Sequence, residues 1–179
     1  MLKKSIEEIL VDHAYCEQKA ASSCISLIIL HPERAALVDT LTPIVAEEWG
    51  HFERVLEELR KRNLELGRPR KDEYVEGLSK LIRKGGSREQ QLLEKLLLNA
   101  LIEARSCERF KILWKQLADK DLSKFYYELM ISEAGHYRTF LQLAKTYLPE
   151  DVVNKRWREW LDDEAQIMKQ LEPRGDRMH

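Results

Sequence analysis

Apolar residues recur at every third or fourth position along most of this chain, which is the spacing of amphipathic α-helices. Proline, glycine and capping patterns divide this periodicity into five long segments and one connection. We predict helices at about residues 5–30, 33–64, 88–118, 122–147 and 150–171, with a connection at 65–87 that contains a short helix. The predicted fold is therefore all-α, with four long helices, one long crossover and an additional C-terminal helix.

Local signals predict where these helices begin and end. A Ser-x-x-Glu pattern at Ser5 predicts a capping box at the start of the first helix. In the second helix, Pro43 either kinks the helix or marks its true start, in which case Thr42 is the cap. We expect the sequence Gly67-Arg-Pro69 to end the second helix, and a Ser-x-x-Gln pattern at Ser87 to cap the third.

Two Glu-x-x-His pairs lie on the apolar faces of predicted helices, Glu48-Trp-Gly-His51 and Glu133-Ala-Gly-His136. Residues three apart project from the same face of a helix, so each pair presents a carboxylate and an imidazole together. One such pair is weak evidence in a chain rich in glutamate, and two in equivalent settings are stronger. A glycine precedes each histidine at a cost of about 1 kcal/mol, which close helix approach or space beside a ligand would explain.

The two pairs belong to a two-fold repeat along the chain. Glu17 precedes Glu48 by 31 residues and Glu103 precedes Glu133 by 30, and each upstream glutamate lies on a helix face of small or apolar residues. Six potential ligands on four helices form the pattern of ferritin-like di-iron and di-manganese carboxylate bundles. The predicted metal ligands, which would act in catalysis through the metal centre, are Glu17, Glu48, His51, Glu103, Glu133 and His136.

The donor set indicates which metal the predicted site would bind. Four buried carboxylates repel one another, and two divalent ions offset that repulsion. Oxygen-rich coordination with two imidazoles suits iron or manganese and disfavours a thiolate-rich zinc site. Solvated glutamates and satisfied core histidines are an equal alternative for any single residue, but a poor one for a set of six at this spacing. A centre of this kind can bind and reductively activate O2.

Composition narrows the class of protein further. The chain has 179 residues, 44% apolar and 34% charged, with 7 Gly and 5 Pro, which suits one domain of long helices. Its net charge of −1 does not point to nucleic acid, so a nucleic-acid partner would need a local basic patch. Three cysteines without a CxxC motif suggest reduced thiols, and no apolar run is long enough to span a membrane. We expect a soluble cytoplasmic protein.

Four segments resemble the tRNA hydroxylases that act on 2-methylthio-N6-isopentenyladenosine: HAYCEQKAAS, EEWGHFERV, IEARSCERF and SEAGHY. The resemblance covers about residues 5–150, and all six predicted ligands match the motif of that family. It implies a non-haem di-iron monooxygenase that uses O2 as co-substrate to hydroxylate the isopentenyl group of a modified adenosine beside the anticodon. It also implies tRNA as partner and an external electron donor, a reductase or a ferredoxin-type protein.

Binding of tRNA requires cationic contacts with phosphates. The densest basic run comprises Arg60, Lys61, Arg62, Arg68, Arg70 and Lys71, although cations at a helix C-terminus also interact favourably with the helix dipole. A second, weaker candidate comprises Lys155, Arg156 and Arg158. His13 lies one turn before Glu17, and we expect it to be packed or solvated rather than to support the site.

Other functions on the same fold remain open at this point. A rubrerythrin-like peroxidase usually carries a rubredoxin-type CxxC module, which this chain lacks. An iron-storage or oxidase ferritin-like protein would assemble as a cage. A radical-generating subunit typically has Asp at the position of Glu17 and a tyrosine near iron, a place that Tyr137 could take. A metal-bound interaction module without turnover would not consume O2 after iron loading.

Overall fold

The computed structural model describes residues 2–69 and 72–170, with side chains described for residues 6–69 and 72–169. Regular structure in these residues is entirely helical. The six helices are α1 (Leu2–Leu30), α2 (Ala35–Lys61), α3 (Glu73–Leu81), α4 (Arg88–Gln116), α5 (Lys120–Tyr147) and α6 (Glu150–Gln170). Residues 2–69 and residues 72–170 form two compact units. The five long helices and the short helix in the connection are those predicted from the sequence.

Helix ends differ from the prediction at three places. α1 begins at Leu2 rather than Ser5, whose side chain is not among those described. α2 begins at Ala35 rather than at residue 33 and includes Pro43, so of the two alternatives left open for Pro43 the start of the helix is excluded. The lost hydrogen bond is outweighed because Leu41 and Ile44, which come before and after Pro43 in the helix, are buried.

The third difference is the end of α2, which lies at Lys61, before the predicted stop at Gly67-Arg-Pro69. Asn63 adopts a left-handed conformation with φ of 55°. The N–H of Asn63 donates to Arg60 O and the N–H of Leu64 donates to Leu59 O, each at 3.0 Å. These two bonds form a Schellman motif with asparagine in place of the usual glycine, and they end the helix.

The first unit is the α1–α2 pair. Apolar side chains of both helices are fully buried, among them Leu10, Ala14 and Val55. The segment after α2 is held to the pair because the hydroxyl of Tyr15 donates to Gly67 O at 2.7 Å. This arrangement places the middle of α1 beside the middle of α2, where the predicted ligands lie.

The second unit is built on the α4–α5 pair, to which α3 and α6 pack. The capping box at Ser87 is present as predicted, since its side chain accepts from Gln90 N and its own N–H donates to Gln90 Oε1. Asp119 caps α5 through its side chain, which accepts a hydrogen bond from Leu122 N. The thiol of Cys107 on α4 donates to Met130 O on α5 at 3.4 Å, at the level of the predicted ligands.

Two buried ion-pair networks join α3, α4 and α6. Glu164 is fully buried and accepts hydrogen bonds from Tyr74 (2.9 Å) and from Arg105 Nε (2.6 Å). Glu94 accepts from Arg156 Nε at 2.6 Å and from Arg156 Nη2 at 2.8 Å. Arg156 was part of the weaker RNA-binding candidate, and that prediction is wrong for this residue because its guanidinium is buried against a carboxylate.

Among the residues that the structure describes, no helix combines the length and the hydropathy needed to cross a lipid bilayer.

Candidate metal centre

The first unit brings Glu17, Glu48 and His51 together where α1 passes α2. All three side chains are buried, with exposed fractions of 4%, 0% and 7%. His51 Nδ1 lies 3.6 Å from Glu17 Oε2 and 3.8 Å from Glu48 Oε2. One donor atom from each residue lies within 4.8 Å of the other two. We call these three residues the first triad.

The second unit repeats this arrangement with Glu103 on α4 and with Glu133 and His136 on α5. All three side chains are buried, and one donor atom from each lies within 4.8 Å of the other two. His136 Nδ1 lies 3.4 Å from Glu133 Oε2. We call these residues the second triad. Each unit therefore supplies three of the six predicted ligands, from one glutamate and one Glu-x-x-His pair.

The chemistry of both triads fits a divalent transition-metal ion. Two donors that bind one ion at about 2.1 Å can be at most about 4.2 Å apart, so separations below 4.8 Å need only small shifts to close on a metal. Two carboxylates and one imidazole per triad are hard or borderline ligands, the kind that iron and manganese bind. Burial of two carboxylates in each triad is costly without a cation nearby, which the metal would supply.

His13 contacts the first triad, whereas the sequence analysis expected it to be packed or solvated. It is packed, as expected, with no exposed surface, but its ring also contacts a predicted ligand. His13 Nε2 lies 2.5 Å from Glu17 Oε1, one turn along α1. The sequence signal for this contact was the spacing of four residues between His13 and Glu17, which places the two side chains on one face of the helix.

The glycines before the two histidines have open space beside them. A Cβ atom built at Gly50 or at Gly135 would meet nothing within 4 Å. Close helix approach therefore does not explain these residues. Both glycines are partly exposed and each is next to a predicted ligand in the sequence, so there is open space at these two positions.

Two cysteines near the triads have raised pKa values. Burial, with a smaller contribution from the charge of Glu48, raises the pKa of Cys24 to about 12. Burial and the nearby Glu133 raise the pKa of Cys107 as well. Both side chains are therefore thiols at neutral pH in the metal-free protein.

The main basic run is partly engaged in contacts of its own. Glu58 is buried and pairs with Lys61 and with Arg62, each at 2.5 Å, and Arg62 also donates to Glu58 O. Burial alone would raise the pKa of Glu58, but these hydrogen bonds outweigh it and the pKa is lowered. Arg60 and Arg68 are exposed, and the last two members of the run, Arg70 and Lys71, lie outside the described residues.

A solved structure has the same fold as this chain. It is titled protein 43 with aldehyde deformylating oxygenase activity from Synechococcus. The two chains superpose with a TM-score of 0.90 and 32% sequence identity, over 97% of this chain and 86% of the other. The predicted fold is confirmed: the chain is all-α, with the ferritin-like fold of di-iron proteins.

Two curated relatives share a name that matches the predicted function, tRNA 2-(methylsulfanyl)-N(6)-isopentenyladenosine(37) hydroxylase. The protein from Pseudomonas putida is 39% identical over 141 residues, which are 79% of this chain and 67% of that protein. The protein from Salmonella typhimurium is 39% identical over 116 residues, which are 65% of this chain and 42% of that protein. The chain thus spans about two thirds of the length of the first relative and less than half of the length of the second.

The match to a whole family covers nearly the full sequence. The model of the family described as tRNA-(MS2IO6A)-hydroxylase (MiaE) matches residues 2–179. This extends the resemblance found at four ligand segments to both units and to the connection between the helix pairs. It confirms the predicted family, an enzyme family of tRNA hydroxylases, over the peroxidase and iron-storage alternatives. The chain belongs to the MiaE family of tRNA hydroxylases.

Proposed function

We propose that this chain hydroxylates the isopentenyl group of 2-methylthio-N6-isopentenyladenosine in tRNA, with O2 as co-substrate and two iron ions as cofactor. The observation that carries the proposal is the pair of buried triads, each with two carboxylates and one imidazole within 4.8 Å. Membership of the family supplies the substrate class, and the fold of di-iron proteins supports the metal. Such a reaction takes place in the cytoplasm, where tRNA is modified.

We assign the two triads as the ligands of one di-iron centre. Glu17, Glu48 and His51 would hold it from the first unit, and Glu103 with its Glu133–His136 pair from the second. The sequence repeat supports this assignment, because equivalent residues occur at an offset of 85 or 86 positions. When bound, ferrous iron supplies the O2 chemistry that amino-acid side chains lack.

The roles of the protein side chains follow from their burial. The four glutamates and two histidines would hold the ions, and their burial keeps their side chains in place. The apolar residues around them exclude bulk water from the reaction. Gly50 and Gly135 leave room beside the ligands, as a branched five-carbon group would require. The electrons come from an external donor, a reductase or a ferredoxin-type protein.

The basic run at the end of α2 is the proposed RNA contact. Arg60 and Arg68 are exposed, and Lys61 keeps about two thirds of its side chain exposed although it pairs with Glu58. Replacing Arg60 by Ala should weaken binding of an anticodon stem-loop and reduce the slope of log affinity against log salt by about 1. Glu58→Gln should act in the opposite direction, because it releases Lys61 and Arg62 from a buried carboxylate. Unchanged affinity in both variants would exclude this surface.

The central test measures the product directly. The full chain is loaded with Fe2+, reduced, and incubated with O2 and tRNA that carries the isopentenylated adenosine, and the nucleosides are analysed by mass spectrometry. We expect a gain of one oxygen on the modified adenosine, lost in Glu103→Ala. The exposed Glu108→Ala on the same helix serves as the matched control and should retain activity. A sample with two irons per chain and no oxygen gain would refute the proposal.

Two further substrates separate the proposal from its alternatives. The solved structure of similar fold is titled for aldehyde deformylating oxygenase activity, so a long-chain aldehyde is included as a competing substrate. Hydrogen peroxide tests for a rubrerythrin-like peroxidase. Turnover of the aldehyde or the peroxide, with none of the tRNA, would assign the site to that chemistry instead. Assembly into an iron-filled cage would favour storage.

A further inference from the structure

The two oxygens of Glu17 have different neighbours. Oε1 lies 2.5 Å from Nε2 of His13, and Oε2 is the oxygen nearest His51, at 3.6 Å from its Nδ1. One oxygen of the carboxylate therefore lies next to His13, and the other lies on the side of His51 in the first triad. His13 has no exposed surface, so its ring is fixed by packing on α1.

The repeat shows that the second unit is built differently at this point. Asn99 stands four residues before Glu103, as His13 stands four residues before Glu17. The side chain of Asn99 is buried, and its Nδ2 donates to Lys95 O at 2.8 Å, one turn back along α4. A neutral amide therefore stands at the position where the first unit has an imidazole. The six ligands follow the two-fold repeat in residue type, and the residue at this position does not.

We propose that His13 is a positioning residue that holds Glu17 through Oε1 and leaves Oε2 alone for the metal, so that the two metal positions are inequivalent. The inference rests on the metal centre proposed above. A glutamate side chain has three rotatable torsions, and a hydrogen bond to one oxygen restricts which oxygen faces the ion. Loss of such a supporting contact typically costs 10–100-fold in metal affinity.

The experiment titrates the metal-free full chain with Co2+ alone, followed by calorimetry and by visible absorption of the bound ion. Wild type should bind two ions. His13→Ala should weaken one of them by about 10–100-fold, change the visible spectrum of that ion, and leave the other within about threefold. His13→Gln keeps an N–H donor on a side chain that can reach Glu17, so it should recover much of the lost affinity. A purely space-filling role would give no such recovery.

Asn99→Ala is the matched control in the second unit, and we expect it to leave both affinities within about threefold of wild type. Equal losses in His13→Ala and Asn99→Ala would overturn the inequivalence. Wild-type affinities and spectra in both His13 variants would overturn the positioning role, and circular dichroism verifies that each variant is helical. If wild type binds no Co2+, the metal centre itself fails. If His13 has the expected effect but tRNA is not hydroxylated, only the proposed reaction fails.

Discussion

The buried pair between Arg156 and Glu94 leads to a stability prediction that also tests the RNA-binding map. Arg156→Met removes the guanidinium and replaces it with an unbranched, apolar side chain of similar length. Glu94, with only 4% of its surface exposed, then loses both hydrogen bonds from Arg156 and its only strong cationic partner among the contacts described above. What remains is the donation from Arg83 N at 3.2 Å.

The magnitude follows from the burial of the carboxylate. Breaking a buried ion pair by removing one partner costs about 3–5 kcal/mol, because the other charge stays desolvated. Burial alone would lower the pKa of Arg156, but the hydrogen bond and the charge of Glu94 raise it overall, so the pair keeps Arg156 charged. With a urea dependence of about 2 kcal/mol per molar, the unfolding midpoint should fall by roughly 2 M.

Urea unfolding followed by circular dichroism measures this change. Arg158→Met is the matched control, since Arg158 lies two residues along α6 and is exposed. Its free energy of unfolding should change by less than about 0.5 kcal/mol. Arg156→Met combined with Glu94→Leu should recover most of the loss, because no buried charge remains. A single-variant loss below about 1 kcal/mol would refute the reasoning. A reduced salt dependence of RNA binding in Arg156→Met would restore this residue to the RNA-binding map.

Three further predictions concern the candidate metal centre. Glu103→Ala and His136→Ala should each abolish tight binding of the second iron and turnover while the circular dichroism stays helical; full activity in either would refute the ligand assignment. Cys24 should resist alkylation at pH 8 in the native state and react only on unfolding, since its pKa is raised to about 12. Mass spectrometry that detects alkylated Cys24 in the native protein would contradict this. Gly50→Ala and Gly135→Ala should each stabilise the metal-free protein by up to about 1 kcal/mol, which would raise its Tm by a few degrees. Each should also lower turnover. A lower Tm would show that the added methyl group is crowded at that position.

The predictions from sequence succeeded where the controlling interactions are local or periodic. Helical periodicity gave the six helices, because burying one face of a helix imposes the same spacing along its whole length. The triads were found for a related reason. Glu48 and His51 lie on one helix face by spacing alone, and the repeat of the pair at Glu133 and His136 distinguishes it from a chance match.

The errors arose where a distant or unusual interaction decides the outcome. Asn63 ends α2 in a left-handed conformation that glycine adopts more readily, so Gly67 was the stronger signal in the sequence and the wrong one. For Pro43 the sequence left two alternatives open, a kink or the start of the helix, and the structure has it inside α2, which the local pattern alone could not decide. His13 was expected to be packed or solvated and is packed, but only the structure shows that its ring also contacts Glu17.

Two buried glutamates on α4 show why the sequence alone cannot tell a structural carboxylate from a metal ligand. Glu94 and Glu103 both lie on the helix within the core, and each is 5% exposed or less. Arg156, which is 62 residues further along the chain, compensates the charge of Glu94 with two hydrogen bonds. Glu103 instead lies with another carboxylate and an imidazole, with donor atoms within 4.8 Å of one another. The charge of Glu94 is therefore compensated by a guanidinium of the same chain. The second triad brings two buried carboxylates together, and a bound cation would offset their repulsion, which supports the proposed metal centre.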